Sequence, residues 1–209
     1  MKLYTYWRST TSYRVRIALN LKGLDYEAAP VDLLRGEQRS GRFAAINPGL
    51  GVPALDLDNG AILTQSMAIL DWLEETVPEP ALLPADPVER AQVRAAALVI
   101  ATDIHPVNNL RVIGRLKAMG HDQDACVDWM NDWMSRGFET FAQMIHTDTP
   151  FCFGHSPGLA DLCLVPQLYN AHRWSCDLSG FSRLTDIEQR CLALSAFDEA
   201  RPENQPDAT

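Results

Sequence analysis

A proline-rich segment, residues 77–87 (VPEPALLPADP), divides the chain into two halves with different sequence patterns. It holds four of the 13 prolines. Proline inside a helix removes a hydrogen bond and clashes with the preceding turn, so no helix is expected to run through this segment. We therefore predict two domains, residues 1–80 and residues 87–209, joined by a linker at residues 81–86.

The first half alternates short strand patterns with helical ones. Asn59-Gly60 provides the turn of a hairpin, because this pair readily adopts the positive φ angles that a tight turn requires. We predict helices at residues 12–22 and 66–76 and a polar loop with one helical turn at residues 36–48. We predict strands at residues 2–6, 26–33, 52–57 and 61–64. This order indicates an α/β domain with a mixed four-stranded sheet.

The second half contains no credible strand and is predicted to be all-helical. Asp86-Pro87 begins a helix that we expect to run past His105-Pro106. Apolar residues at helical spacing predict a second helix at residues 125–145, whose Met and aromatic stripe we interpret as core. Two more helices are predicted at residues 158–171 and 186–200. Residues 202–209 are predicted to be a polar tail, mobile or lying over the surface.

The charge distribution excludes some partners and favours others. Lys and Arg total 18 against 27 Asp and Glu, a net charge of −9, which disfavours nucleic acid and anionic membranes. The first 22 residues, however, contain no acidic residue and carry five basic ones: Lys2, Arg8, Arg14, Arg16 and Lys22. We interpret this segment as a cationic region that suits a small anionic ligand.

Other composition features narrow the class of protein. No apolar run approaches the ~20 residues of a membrane helix, and Arg8 interrupts the start before any signal-peptide core, so a cytoplasmic protein is expected. The five cysteines lack a C-x-x-C pair and are predicted to be small buried hydrophobes rather than disulfide or zinc ligands. The histidines lack metal-ligand spacing, so no metal site is predicted.

Four hydroxyl residues, Ser9 to Ser12, lie between the first predicted strand and the first predicted helix. A helix amino terminus carries partial positive charge and stabilises a carboxylate, phosphate or thiolate. Capping a helix needs only one hydroxyl. Four of them beside Arg8 and Arg14 favour an anion site over a simple cap.

The chain resembles the zeta class of glutathione transferases over essentially its whole length. The motifs that carry the resemblance are, in order, RSTTSYRVRIAL (8–19) with LKG (21–23), NP (47–48), VPAL (52–55), QS (65–66), DIHPVNN (103–109), ADLCLVPQ (160–167) and QPD (205–207). The resemblance implies a thioredoxin-like domain followed by an all-helical domain, usually as a homodimer. It also implies glutathione as cofactor and a small dicarboxylate substrate.

The implied reaction is cis–trans isomerisation of a maleyl keto acid, either maleylacetoacetate or maleylpyruvate, in the breakdown of tyrosine or of other aromatic acids. Ser9 matches the catalytic serine, with Arg8 and Thr11 beside it. The positions that match glutathione contacts are Ser9, Thr10, Thr11, Val52, cis-Pro53, Gln65, Ser66, His105 and Asn109. The candidates for binding the substrate carboxylates are Arg8, Arg111 and Arg173, because guanidinium groups bind carboxylates bidentately.

The chain departs from the family pattern in three places. Thr11 stands where the eukaryotic members have Cys, which argues against thiol–disulfide exchange and against dehalogenation that needs an enzyme thiol. Gly51 replaces a Gln, and Gly158 replaces a Ser or Thr helix cap ahead of Asp161, which we interpret as a folding residue. Two alternatives stay open: a glutathione transferase that conjugates or dehalogenates small electrophiles, and a non-catalytic glutathione-binding protein.

Overall fold

A computed structural model describes all residues, 1–209. The chain forms two compact units. Unit 1 comprises Met1–Leu82 together with Leu192–Thr209, and unit 2 comprises Leu83–Cys191.

A four-stranded mixed sheet forms the centre of unit 1. Its strands are β1 (Lys2–Thr5), β2 (Glu27–Pro30), β3 (Ala54–Asp56) and β4 (Ile62–Thr64). The spatial order is β2-β1-β3-β4, with β1 parallel to β2 and antiparallel to β3, and β3 antiparallel to β4. Leu3 and Leu55 face each other in register and are fully buried. The predicted sheet is confirmed, although each strand is shorter than predicted.

Three helices accompany the sheet: α1 (Thr10–Leu21), α2 (Gly41–Ile46) and α3 (Ser66–Thr76). Helix α1 begins before the predicted Ser12 because Ser9 caps it. Helix α2 is the helical turn expected in the polar loop, and α3 has the predicted bounds. Helices α1 and α3 contact each other.

Unit 2 is helical, as predicted. Its helices are α4 (Pro87–Leu98), α5 (Leu110–Ala118), α6 (Gln123–Met144), α7 (Leu159–Arg173) and α8 (Ser182–Leu192). The prediction of one helix running past His105 was wrong. Helix α4 passes into a π-helical turn (Val99–Ile104). A 3-10 turn (Pro106–Asn108) follows, because Pro106 has no N–H to continue the helical ladder. The α6 side chains of Met130, Met134, Phe138 and Phe141 are buried, as predicted for core, whereas those of Trp129, Trp133 and Met144 are half-buried.

The carboxyl-terminal segment differs from the prediction in two ways. The helix predicted at 186–200 is two helices, α8 and α9 (Ser195–Asp198), because Leu194 adopts an extended conformation. Residues 192–209, which we assigned to the helical domain, group with unit 1 instead. The side chains of Arg16 and Asn20 donate to carbonyls of this segment, at 3.0 and 3.1 Å. The spacing of apolar residues along the sequence does not indicate hydrogen bonds between residues this far apart.

Residues 202–209 are a folded segment rather than a mobile tail. They begin with a 3-10 turn (Pro202–Asn204), and the buried Gln205 side chain donates to the carbonyls of Glu199 and Arg201. Asp207 accepts a hydrogen bond from the main-chain N–H of Trp7 at 3.0 Å.

Most of the cationic amino-terminal region is internal, so only part of its charge is accessible to a ligand. Arg14, Arg16 and Lys22 are buried. The Lys22 ammonium donates to the Glu74 carboxylate at 3.0 Å and to two main-chain carbonyls. A buried charge is costly unless it is paired, so this cation serves the fold. Arg8 alone of the three arginines is partly exposed.

None of the helices has the length and apolar character that crossing a lipid bilayer requires. All five cysteines are free thiols and are buried, as predicted. No group of three or more His, Cys, Asp or Glu side chains is arranged to hold a metal ion.

Candidate active site

Ser9 is the residue that caps helix α1. Its backbone is extended (φ −70°, ψ 114°), and its Oγ accepts a hydrogen bond from the N–H of Ser12 at 3.2 Å. The amino terminus of a 12-residue helix concentrates unpaired N–H groups and partial positive charge. Ser9 is half-buried, so its hydroxyl lies at an electropositive and accessible position.

A short chain of hydrogen bonds joins Ser9 to Val52 through Thr11. The Thr11 hydroxyl donates to the carbonyl of Val52 at 2.9 Å, and the Ser9 and Thr11 oxygens are also 2.9 Å apart. A hydroxyl has one proton. Since the Thr11 proton is used on a carbonyl, which can only accept, Ser9 is the donor between the two hydroxyls.

The loop before β3 contains Val52 and Pro53, two of the predicted glutathione contacts. The Val52–Pro53 peptide bond is cis, as the resemblance implies. The Val52 carbonyl already accepts from Thr11 and has one lone pair left for another donor. The buried Asn47 side chain organises the loop by donating to the Gly51 carbonyl at 2.7 Å and accepting from the Gly49 N–H at 2.9 Å.

Gln65 and Ser66 form the start of helix α3. Gln65 has φ 68° and ψ 115°, a conformation rare outside glycine, and its exposed side chain makes no cap hydrogen bond. Backbone outliers of this kind cluster at ligand-binding positions. Ser66 is 5% exposed, and its Oγ accepts from the guanidinium of the buried Arg14 at 3.4 Å. The helix amino terminus, an exposed amide and a positioned hydroxyl together suit a carboxylate.

Arg8 directly precedes Ser9 in the chain. Its guanidinium stacks over the ring of Trp7, 4.0 Å from the ring centroid. Stacking occupies the face of the guanidinium and leaves its edge N–H groups for hydrogen bonds. Thr10, in contrast, is buried.

Four predicted site residues belong to unit 2. His105 is half-buried and follows the π-helical turn, with its N–H bonded to the carbonyl of Ile100. Asn109 is the cap of α5, because its Oδ1 accepts from the N–H of Arg111 at 3.1 Å. Arg111 and Arg173 are exposed, and Arg173 lies 4.7 Å from the Trp174 ring centroid.

The π-helical turn before His105 sits against a glycine of α6. A Cβ built on Gly137 would lie 2.2 Å from Cγ1 of Ile104, which is fully buried. Only glycine therefore permits this approach of α6 to the turn.

Asp161 has the folding role that the sequence predicts. Its carboxylate accepts from the N–H groups of Cys152 and Gly158, at 3.0 and 2.9 Å, and completes the cap of α7. Burial raises the pKa of this carboxyl, while the two N–H donors act to lower it.

The structure joins Ser9, Thr11 and Val52 in one hydrogen-bonded group. Separately, Ser66 accepts a hydrogen bond from Arg14. Sequence reasoning missed Asn47 and the contact of Arg14 with Ser66. It also missed the bond from Trp7 to Asp207, although the QPD motif at 205–207 was a signal that this segment matters.

Comparisons with known proteins identify the chain's relatives. Residues 8–76 match the family described as glutathione S-transferase, N-terminal domain. Maleylacetoacetate isomerase of Pseudomonas aeruginosa is 48% identical over 209 residues, covering 99% of this chain and 98% of that protein.

Two solved structures are similar over 100% of both chains. One is a holo maleyl pyruvate isomerase, described as a bacterial zeta-class glutathione S-transferase, with 45% identity and a TM-score of 0.97. The other is a maleylacetoacetate isomerase from Methylobacterium extorquens AM1 with bound malonate and glutathione, with 38% identity and a TM-score of 0.95.

Proposed function

Because this chain belongs to the zeta class of the glutathione S-transferase family, we propose that it is a glutathione-dependent cis–trans isomerase of a maleyl keto acid. The substrate is maleylacetoacetate or maleylpyruvate, and the product is the fumaryl isomer. The observation that carries the proposal is the 48% identity with a maleylacetoacetate isomerase over 99% of this chain. We further propose that the enzyme is a cytoplasmic homodimer.

The residues of unit 1 fit glutathione. The exposed Gln65 side chain and Ser66 at the start of α3 suit the γ-glutamyl carboxylate, because a helix amino terminus attracts an anion. The main chain of Val52 suits the cysteinyl peptide group. The capped end of α1 suits the sulfur. On the resemblance, Thr10, Pro53, His105 and Asn109 are also proposed as contacts.

When bound, glutathione supplies the thiolate that adds to the cis double bond and leaves again after rotation about the resulting single bond. Ser9 holds this sulfur in its ionised form by donating a hydrogen bond to it, since charge-assisted hydrogen bonds favour the anion. To do so the Ser9 O–H turns from Thr11 toward the sulfur. The N–H of Ser12 keeps the Ser9 oxygen in place during this rotation.

The arginines are proposed to handle the substrate's negative charge. Arg8, held over the ring of Trp7, presents guanidinium N–H groups to one carboxylate. Arg111 and Arg173 are proposed to bind carboxylate groups as well. Positive charge fixed at these positions also stabilises the negative charge that develops on the substrate when the double bond is attacked.

The test is to incubate the purified protein with each maleyl keto acid, with and without glutathione, and to follow the absorbance of the conjugated substrate. Isomerisation that requires glutathione and does not consume it supports the proposal. A stable glutathione adduct, or no turnover of either acid, would contradict it. The ratio of the two kcat/KM values identifies the preferred acid, and light scattering after size-exclusion chromatography tests the homodimer.

A further inference from the structure

The main chain of Trp7 is held on both sides. Its N–H donates to Oδ2 of Asp207 at 3.0 Å, and its carbonyl accepts from the Arg16 guanidinium at 3.0 Å. The Arg16 side chain is itself fully buried and donates to the Ala200 carbonyl. Two bonds to the segment 192–209, one direct and one through Arg16, therefore fix where Trp7 sits.

The position of Trp7 determines that of Arg8. Trp7 is 5% exposed, so its indole cannot move without disturbing the interior. The Arg8 guanidinium lies on this ring at 4.0 Å, a distance at which the ring face attracts a cation. A long arginine side chain has many rotamers, and stacking on a fixed ring reduces the entropy lost when it binds a carboxylate.

Only one of the two carboxylate oxygens of Asp207 accepts a hydrogen bond. Its Oδ2 accepts from Trp7, whereas Oδ1 is buried without a hydrogen-bond partner. A buried acceptor without a partner is costly, so the carboxylate is a poor choice for stability alone. Its one structural effect is to fix the main chain one residue before Arg8.

We propose that Asp207 is a positioning residue for the substrate: it fixes Trp7, and Trp7 in turn presents Arg8 to a carboxylate of the maleyl substrate. The inference rests on the proposed function in one respect, namely that Arg8 binds this carboxylate. Asp207 touches neither glutathione nor substrate in this scheme. Its effect is therefore confined to the kinetic constants for the maleyl acid and leaves the KM for glutathione unchanged.

The experiment compares Asp207→Ala with Asp207→Asn, which keeps an oxygen acceptor for the Trp7 N–H. Loss of one hydrogen bond predicts a rise of about fivefold to tenfold in the KM for the maleyl acid in Asp207→Ala, with an unchanged KM for glutathione. Asp207→Asn should remain within about twofold of the unchanged chain. Glu203→Ala, which removes an exposed carboxylate of the same segment, is the matched control and should have no effect.

A double-mutant cycle tests whether Asp207 acts through Arg8. Arg8→Ala should raise the KM for the maleyl acid, and adding Asp207→Ala to it should raise this KM no further. Amide hydrogen exchange provides a readout without turnover: the Trp7 N–H should exchange faster in Asp207→Ala than in Asp207→Asn.

The outcomes separate the inference from the proposed function. Equal rises in both KM values, additive effects in the cycle, or unchanged exchange at Trp7 would each overturn the positioning role while leaving the isomerase intact. Absence of isomerisation in the unchanged chain would overturn the proposed function itself.

Discussion

The Ser9 hydroxyl donates a hydrogen bond to Thr11, because the Thr11 hydroxyl already donates its own hydrogen bond to the carbonyl of Val52. Both oxygen–oxygen distances are 2.9 Å. The two hydroxyls therefore differ in chemistry although they are neighbours: the Ser9 proton can be redirected to a ligand, and the Thr11 proton ties α1 to the loop before β3. Two different kinetic effects follow from removing them.

Ser9→Ala should lower kcat by roughly 10-fold to 100-fold, the range for a hydrogen bond to a charged group, and should change the KM for glutathione much less. Thr11→Val, in which the side chain keeps a similar shape, should mainly raise the KM for glutathione, by roughly twofold to tenfold. The reason is that Val52 loses its hydrogen bond to α1. Steady-state kinetics with each substrate varied in turn measures both.

Thr11→Ser is the control for this pair, since it keeps the hydroxyl and should keep both constants near those of the unchanged chain. If Ser9→Ala turned over the maleyl acid at the rate of the unchanged chain, the proposed catalytic role of Ser9 would be wrong.

Gln65 should show a conflict between stability and binding. Its positive φ costs about 1–3 kcal/mol for any residue with a Cβ, a cost that glycine avoids and alanine does not. The free energy of unfolding of Gln65→Gly should therefore exceed that of Gln65→Ala by about 1 kcal/mol, even though glycine gains entropy in the unfolded chain. Both variants should raise the KM for glutathione. Urea denaturation beside kinetics tests this, and greater stability of the alanine variant would contradict it.

Gly137 should be intolerant of a methyl group. Gly137→Ala puts a Cβ on the buried Ile104 and should cost about 1–3 kcal/mol by overpacking. Ile104→Ala alone should cost about 2–5 kcal/mol by leaving a cavity. The double variant should be more stable than the sum predicts, because the new methyl group enters the space vacated by Ile104. Additive losses in urea denaturation would show that the two positions do not share this space.

The stability of the protein should fall at alkaline pH through two buried thiols. Burial, with Asp161 adding to it, raises the pKa of Cys152 and of Cys191 well above the ordinary value of 9.0. The unfolded chain then releases thiol protons that the folded chain keeps. Above about pH 9 the free energy of unfolding should decrease by up to about 1.4 kcal/mol per pH unit for each thiol.

Urea denaturation from about pH 7 to about pH 10 measures this slope. In Cys191→Ala the free energy of unfolding should fall less steeply with pH than in the unchanged chain, by the contribution of one titrating proton. Identical slopes would show that Cys191 does not contribute.

The sequence was sufficient for the parts of the structure that depend on local patterns. The four strands, the start of α3 at Ser66 and the buried face of α6 follow from alternation and helical spacing. The resemblance supplied the cis bond at Pro53. These features depend on residues close in sequence or on motifs that several positions share.

The sequence failed where distant residues decide the outcome. Arg14 reads as a cation beside hydroxyls, and only the folded chain shows that it is buried against Ser66. Residues 202–209 are predicted only as a polar tail, mobile or lying over the surface, because composition gives no sign that Asp207 accepts from Trp7.

The bond between Trp7 and Asp207 joins residues 200 positions apart, and this separation affects how the protein is made. A ribosome synthesises all of unit 2, residues 83–191, before the residues that complete unit 1. Domains of a nascent chain usually fold from the amino terminus onward. Here unit 1 is completed by residues 192–209, so we expect the helical unit to be completed first. Ser9, the cap of α1, then gains its full set of supporting contacts only after residues 192–209 have been made.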